Sequence, residues 1–446
     1  MVAAAGCALA PPWAAFAGRG AAAGQSVLAG APLGKFRLSG EDDEFLDELE
    51  RQGCLFFWEQ ASERTGQILD RARQDLGGAR DRRRMASIAS TGFGLTALTI
   101  ADQRGYLPHA QVLERVRTTL EWHLNSMPEV HGFFYHFTDV ETGARWRDVE
   151  LSSIDTSILL CGILTAKAHF GDEKITALAE QIYERVDWQW LLNGGKTFSM
   201  GWKPETGFLT ARWEHYSELM MIYLLAMGSR AHSVSAELWH NFKRPVIRFA
   251  GYEFISGNDP IFTHQYSQAW FDFRERRDEY ADYFENSVKA TKAHRAFCLS
   301  QPQWYSEDYW GVTASDSMHG YVIWGGPPAM GPLDGTVVPS AAAGSLVFLP
   351  DECLAVLRAM RAKWGRRAWG RYGFADAFHP SANWYDPDVI GIDQGISVLM
   401  AENLRTGMVW KTLMSNPECG RAMELAGFRM ESPARDRSGG LLAARL

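Results

Sequence analysis

Three segments of the chain set a carboxylate where an apolar stretch begins. Asp155 opens SSIDTSILL with Glu150 five residues upstream, Glu218 opens YSELMMIYLL with Glu214 four residues upstream, and Asp393 opens GIDQGISVLM. Each acid has two readings. It can serve the helix, because acids near an N-terminus satisfy free N–H groups and face the positive end of the dipole. It can also move protons: burial next to apolar side chains raises a carboxyl pKa toward neutrality, while the helix start pulls the other way. Glu218 is the sharpest case, since LMMIYLLAM follows it at once. One carboxyl that donates a proton and one that activates water are the minimum needed to hydrolyse a glycosidic bond. Acids this far apart in sequence can meet only if the starts of several helices converge. The candidate catalytic set is therefore Glu218, Glu150, Asp393 and Asp155.

Rings and hydrogen-bonding side chains surround these acids in sequence. The 446 residues include 17 Trp, 14 Tyr and 24 Phe, and Trp is well above ordinary usage. Such rings either fill a large core or line a groove for sugar faces. The candidates for substrate contact are Trp213, Tyr216, His264, Gln265, Arg274, Trp310 and Trp384, with HGFFYH (residues 131–136) in an aromatic connection. For any one of these rings, plain packing is an equal alternative.

Composition removes other classes. With 45 Lys plus Arg against 53 Asp plus Glu, the net charge is −8. That argues against a basic nucleic-acid surface or an electrostatic hold on anionic lipid. No GxGxxG, Walker loop, HExxH or GxSxG occurs, and Ser345 in AAAGSLVF lacks the second Gly. The six Cys form no CxxC pair and no zinc-type cluster with His. Neither a cofactor nor a metal is expected.

The elements that must position the acids read as helices. EFLDELERQGCLFFWEQA is amphipathic; ASTGFGLTALTIADQRGYL, SSIDTSILLCGILTAKAHF and YSELMMIYLLAMGS are apolar nearly all round; HAQVLERVRTTLEWHLNSM and ITALAEQIYERVDWQWLL are amphipathic. Helices apolar on every face must be buried, and amphipathic ones cover them. This alternation predicts an all-α toroid, an inner ring of helices inside an outer ring, with long loops gathered at one end as a funnel. Residues 301–350, rich in Gly and Pro, are expected to be a long loop over that funnel. An α-solenoid is the alternative, disfavoured because no fixed repeat is visible.

Residues 1–40 form an Ala-rich leader with the flavour of an export-signal remnant, and Ala-Ala-Gly-Cys at 4–7 weakly resembles a lipoprotein box around Cys7. The leader's alternative is a segment with no targeting role. A single catalytic domain is expected over 41–432, followed by a polar tail at 433–446. No membrane span is expected, and the predicted location is periplasmic or secreted, with lipid at Cys7 an option.

Several long segments resemble the glycoamylase-like family, which includes glycoside hydrolase family 144: YSELMMIYLLAMGS (216–229), HQYSQAWFDFRERRDEYADYFENSVKAT (264–291), WGVTASDS (310–317), DGTVVPSAAAGSLVFLP (334–350) and FADAFHPSANWYDPDVIGIDQGISVLMAENLRTGMVWK (374–411). The resemblance implies an (α/α)6 barrel that hydrolyses linear β-1,2-glucan to sophorose and short sophorooligosaccharides with inversion. It implies a general-acid role for Glu218 in Tyr-Ser-Glu, and it maps Glu150, Asp155 and Asp393 onto the family's other acids, one of which handles the water. The proton to be removed can pass through a substrate hydroxyl. Leu219 and Met220 stand where smaller residues are common, which leaves subsite preference open. The expected partner is a glucan or oligosaccharide substrate, and the enzyme is expected to be a monomer. The alternatives are an exo-acting hydrolase, a glucan-binding protein without turnover, or a phosphorolytic enzyme.

Overall fold

The computed structural model describes residues 36–327 and 331–430. The expectations for residues 1–35, including Cys7, and for the tail lie outside the described residues. Fourteen α-helices are described: α1 (Gly40–Glu59), α2 (Ile88–Arg104), α3 (His109–Asn125), α4 (Ser153–Phe170), α5 (Glu173–Glu184), α6 (Trp188–Leu192), α7 (Met220–Gly228), α8 (Tyr266–Trp270), α9 (Tyr283–Leu299), α10 (Pro339–Ala343), α11 (Pro350–Trp364), α12 (Gly391–Arg405), α13 (Met408–Met414) and α14 (Pro417–Leu425). The molecule is largely helical. None of the described helices is long and apolar enough to cross a membrane.

The apolar sequences became the buried helices. α2, α4, α7 and α12 are buried along nearly their whole length, whereas α1, α3 and α5 bury one stripe. α2 packs against α4, α12 and α1, and α7 packs against α14. Two glycines set the tightest of these contacts. A Cβ on Gly162 would stand 2.1 Å from the Gly92 carbonyl oxygen, and one on Gly92 would stand 2.4 Å from that of Ile158. The α2 and α4 backbones therefore touch directly, and no side chain fits between them.

Short antiparallel ladders pin the starts of three buried helices. Met85–Ser87 pairs with Phe137–Asp139 just before α2, Leu151–Ser152 pairs with Gly201–Lys203 just before α4, and Asp388–Ile390 pairs with Arg71–Arg73 just before α12. Each ladder satisfies the incoming backbone and fixes where the first helical turn begins.

Two expectations changed. The single helix read over ITALAEQIYERVDWQWLL breaks at Arg185, and Asp187 caps the short α6 through the Trp190 N–H. Only part of 301–350 is a loop: the stretch from Val337 to Phe348 is buried, because its small residues pass through the core as α10 and a turn. The five described cysteines are all buried and unpaired.

Candidate active site

Glu218 lies in the turn just ahead of α7. Its main-chain oxygen accepts a hydrogen bond from the Ser267 hydroxyl at 2.6 Å, and the same hydroxyl accepts from the Met221 N–H at 3.0 Å. No side chain caps α7, so the Glu218 carboxyl is not engaged in helix capping. It opens on a cavity of about 560 Å³ lined by Trp213, His215, Asp259, Phe262 and Tyr321 among others. Burial pushes its pKa up to about 7, against its own backbone hydrogen bond and helped by the charges of Asp259 and Asp155. A carboxyl that keeps its proton near neutrality beside a cavity is chemically a general acid.

Asp155 sits in the first turn of α4. The Ser152 hydroxyl accepts its N–H at 3.2 Å and donates to its Oδ2. One oxygen is thus held by the capping Ser152. The other lies 3.6 Å from His136 Nε2, and His136 Nδ1 lies 3.0 Å from Glu150 Oε1. His136 bridges the two carboxylates. Its burial would lower its pKa, but the Asp155 and Glu150 charges prevail and hold it at about 9. The hydrogen bond from His136 holds Glu150 down to about 2. Glu150 is thus a fixed anion that orients His136, a poor candidate for giving or taking a proton near neutrality.

Asp393 occupies the first turn of α12 and is almost wholly buried, with 4% of its surface exposed. The Ser340 hydroxyl donates to its Oδ1 at 2.8 Å. Burial raises it to about 7 against hydrogen bonds from Ser340 and Asp376. A hydrogen bond between two carboxyls requires a proton on one of them, and otherwise Asp393 Oδ2 and Asp376 Oδ1 meet no donor. Behind this pair stand Asp316 and Asp386. Carboxylate oxygens of Asp316, Asp376 and Asp386 lie within 4.8 Å of one another, the one group among the described residues with the makings of a metal site.

One ring ties the acids together. The buried Tyr266 hydroxyl is pushed well up, by burial first and then by the charges of Asp393, Tyr321, Glu218 and Asp155. The charges of Asp393, Glu218 and Asp155 thus all reach the Tyr266 hydroxyl.

The other sequence candidates separate by burial. Trp213 lines the cavity, its indole N–H donating to the Ser153 hydroxyl at 2.7 Å. Tyr216 is a correction: it is fully buried, its hydroxyl 3.2 Å from His264 Nδ1, and its ring stacks on Tyr283. His264 is also buried, and burial lowers its pKa to about 3, so it is a neutral interior residue. Gln265 is 1% exposed and donates to the Ala341 carbonyl and the Ser345 hydroxyl, tying α8 to α10. Trp310, also 1% exposed, belongs to the core. Arg274 is held bidentately by Asp272 and lies over the Trp410 ring. Trp384 is half-buried on a short ladder opposite His379. Of these, Tyr216, His264, Gln265 and Trp310 are packed into the fold around the site. The residues that sequence reasoning passed over are Asp259, Tyr266, Tyr321 and the Asp316–Asp376–Asp386 group. They lie in loops or a five-residue helix, where no periodicity marks a position as facing a cavity.

The Glycoamylase family profile, described as "Putative glucoamylase", matches residues 210–417. A structure from Bacteroides caccae described as a "putative glucoamylase" shares 30% identity, covering 87% of this chain and 100% of its own, with a TM-score of 0.79. An endo-β-1,2-glucanase of Chitinophaga pinensis, solved with sophorotriose and glucose, shares 28% identity over 88% of this chain and 99% of its own, with a TM-score of 0.78. An exo β-1,2-glucooligosaccharide sophorohydrolase acting at the non-reducing end, from Parabacteroides distasonis, is 26% identical over 425 residues, 86% of this chain. The chain spans 58% of the length of that curated relative. A Tyr-Ser-Glu turn whose carboxyl faces a cavity, within a helical scaffold shared along almost the whole chain, places the protein: it belongs to the glycoamylase-like family of glycoside hydrolases.

Proposed function

We propose that the protein hydrolyses β-1,2-glucosidic bonds of linear β-1,2-glucan within the chain, releasing sophorose and short sophorooligosaccharides with inversion. Glu218 protonates the leaving oxygen. Asp393 removes the proton of the attacking water, directly or through a substrate hydroxyl, with Ser340 fixing one of its oxygens. Asp155 and His136 hold the sugar next to the acid, oriented by Glu150. Trp213 supplies a flat wall for a sugar face. The observation that carries this reading is the Glu218 carboxyl, free of any capping duty and raised to about 7 at the cavity. The likeness to the Chitinophaga pinensis endo-β-1,2-glucanase supports the substrate class.

The proposed architecture is an (α/α)6 barrel over residues 41–432, supported by the alternation of fully buried and one-sided helices. The proposed enzyme acts as a monomer, secreted or in the periplasm.

A second reading is exo action, favoured by the 26% identity to the Parabacteroides distasonis sophorohydrolase. Chromatography of products from linear β-1,2-glucan over time separates the two. A ladder of oligosaccharides at early times supports endo cleavage, and sophorose alone from the first time point supports exo cleavage. If no product appears from β-1,2-glucan while another β- or α-linked glucan is cut, the substrate assignment is wrong.

A further inference from the structure

We propose that Asp316, Asp376 and Asp386 bind a divalent cation, calcium by preference, directly behind Asp393. The three carboxylates come from separate stretches of chain, yet they offer oxygens within 4.8 Å of one another. No two of these oxygens are further apart than opposite ligands around calcium, whose oxygens lie at ~2.3–2.6 Å. Each side chain is already held by a hydrogen bond or ion pair. Arg71 holds Asp316 through Oδ2, the Asp316 N–H donates to Asp376 Oδ2 at 2.8 Å, and the Asp388 N–H donates to Asp386 Oδ1 at 3.0 Å.

An independent observation points to a ligand. Asp386 is 7% exposed, and its Oδ2 has no hydrogen-bond partner. A buried carboxylate oxygen without a donor is costly unless a cation or proton meets it. The nearby arginines do not supply that charge. Arg71 is shared between Asp70 and Asp316, and Arg83 between Asp81 and Asp388. Among the described residues, none of Asp376, Asp386 and Asp393 has a cationic partner within 4 Å.

The donor set is all oxygen, which suits a hard divalent cation and not zinc or copper. Calcium is preferred because magnesium demands near-ideal octahedral geometry, whereas these carboxylates are anchored individually by Arg71 and by backbone amides. Water and backbone carbonyls would complete the shell. The cation would neutralise Asp376, the partner of Asp393, and hold the loops at 316, 376 and 386 together.

The test uses the full chain freed of metal with a chelator. Calcium or magnesium is added at millimolar concentration, and the thermal midpoint and bound metal per chain are measured. A rise of roughly 5 °C with calcium, a smaller one with magnesium, and one calcium per chain support the site. D386N should fold, lose the calcium response and bind no metal, while its midpoint in chelator matches or exceeds that of the parent. No shift and no bound metal would overturn the proposal. So would an unchanged calcium response in D386N, or a midpoint that rises as pH falls from 8 to 6 without any metal effect, which would show that protons alone neutralise the group. These readouts are independent of catalysis, so they stand or fall separately from the proposed hydrolysis.

Discussion

Replacing Glu218 by Gln should separate chemistry from folding in one variant. Gln keeps the size of the side chain and its contacts with the cavity wall but cannot donate an acidic proton. A lost general acid lowers the rate by ~10²–10⁴-fold, about 3–5 kcal/mol of barrier. Stability should move the other way, with a calculable pH dependence. The Glu218 pKa rises from 4.5 to about 7 on folding. Between these values the folded state binds more protons than the unfolded one, so this group's contribution is present at low pH and is lost as pH rises through about 7. At ~1.4 kcal/mol per pKa unit, the deficit above pH 7 is about 3 kcal/mol. E218Q removes it. Relative to the parent, the variant should therefore gain up to about 3 kcal/mol between pH 5 and pH 8. The assays are reducing-sugar release from linear β-1,2-glucan and denaturant unfolding at both pH values. The parent's activity should also fall as pH rises above about 7, when the acid loses its proton. Retention of more than a tenth of the parent rate, or a stability difference that does not change with pH, would refute the assignment of Glu218 as a half-buried general acid.

Two further outcomes follow from the packing and the charge network. Gly162→Ala drives a methyl group into the Gly92 backbone, which cannot move aside as a side chain could, so α2 and α4 must separate; a loss of about 3 kcal/mol in urea unfolding is expected. His136→Ala leaves Glu150 and Asp155 facing each other without their cation. Because the folded His136 pKa is raised from 6.5 to about 9, its contribution is complete below 6.5 and disappears as pH rises through about 9. The variant should therefore lose more at pH 6 than at pH 9.5, by about 1–2 kcal/mol after allowance for the partly exposed ring. An equal loss at both pH values would remove the bridging role.

The buried helices were legible because their signal is local. IASTGFGLTALTIADQR reads as helix from its unbroken apolar surface and stops where Gly105 adopts a left-handed φ of 68°. The break at Arg185 was not legible, because ERVDWQWLL continues the apolar spacing and only Asp187, turned to cap α6, reveals the interruption. The aromatic candidates show the same limit. Trp213 and Tyr216 are three residues apart in one irregular segment, yet one faces the cavity and the other is sealed in the core.

By itself the chain's order of residues determined a helical protein with acids at the starts of its buried helices, because helical periodicity and capping are written within a few neighbouring positions. Only the tertiary structure decided which acids act together on the Tyr266 hydroxyl. It also decided that Glu150 is neutralised by His136, and that Asp316, Asp376 and Asp386 converge behind Asp393. Those juxtapositions depend on ladders and helix contacts between stretches tens to hundreds of residues apart. Burial, which sets the proton affinity of each carboxyl, exists only once those stretches have packed.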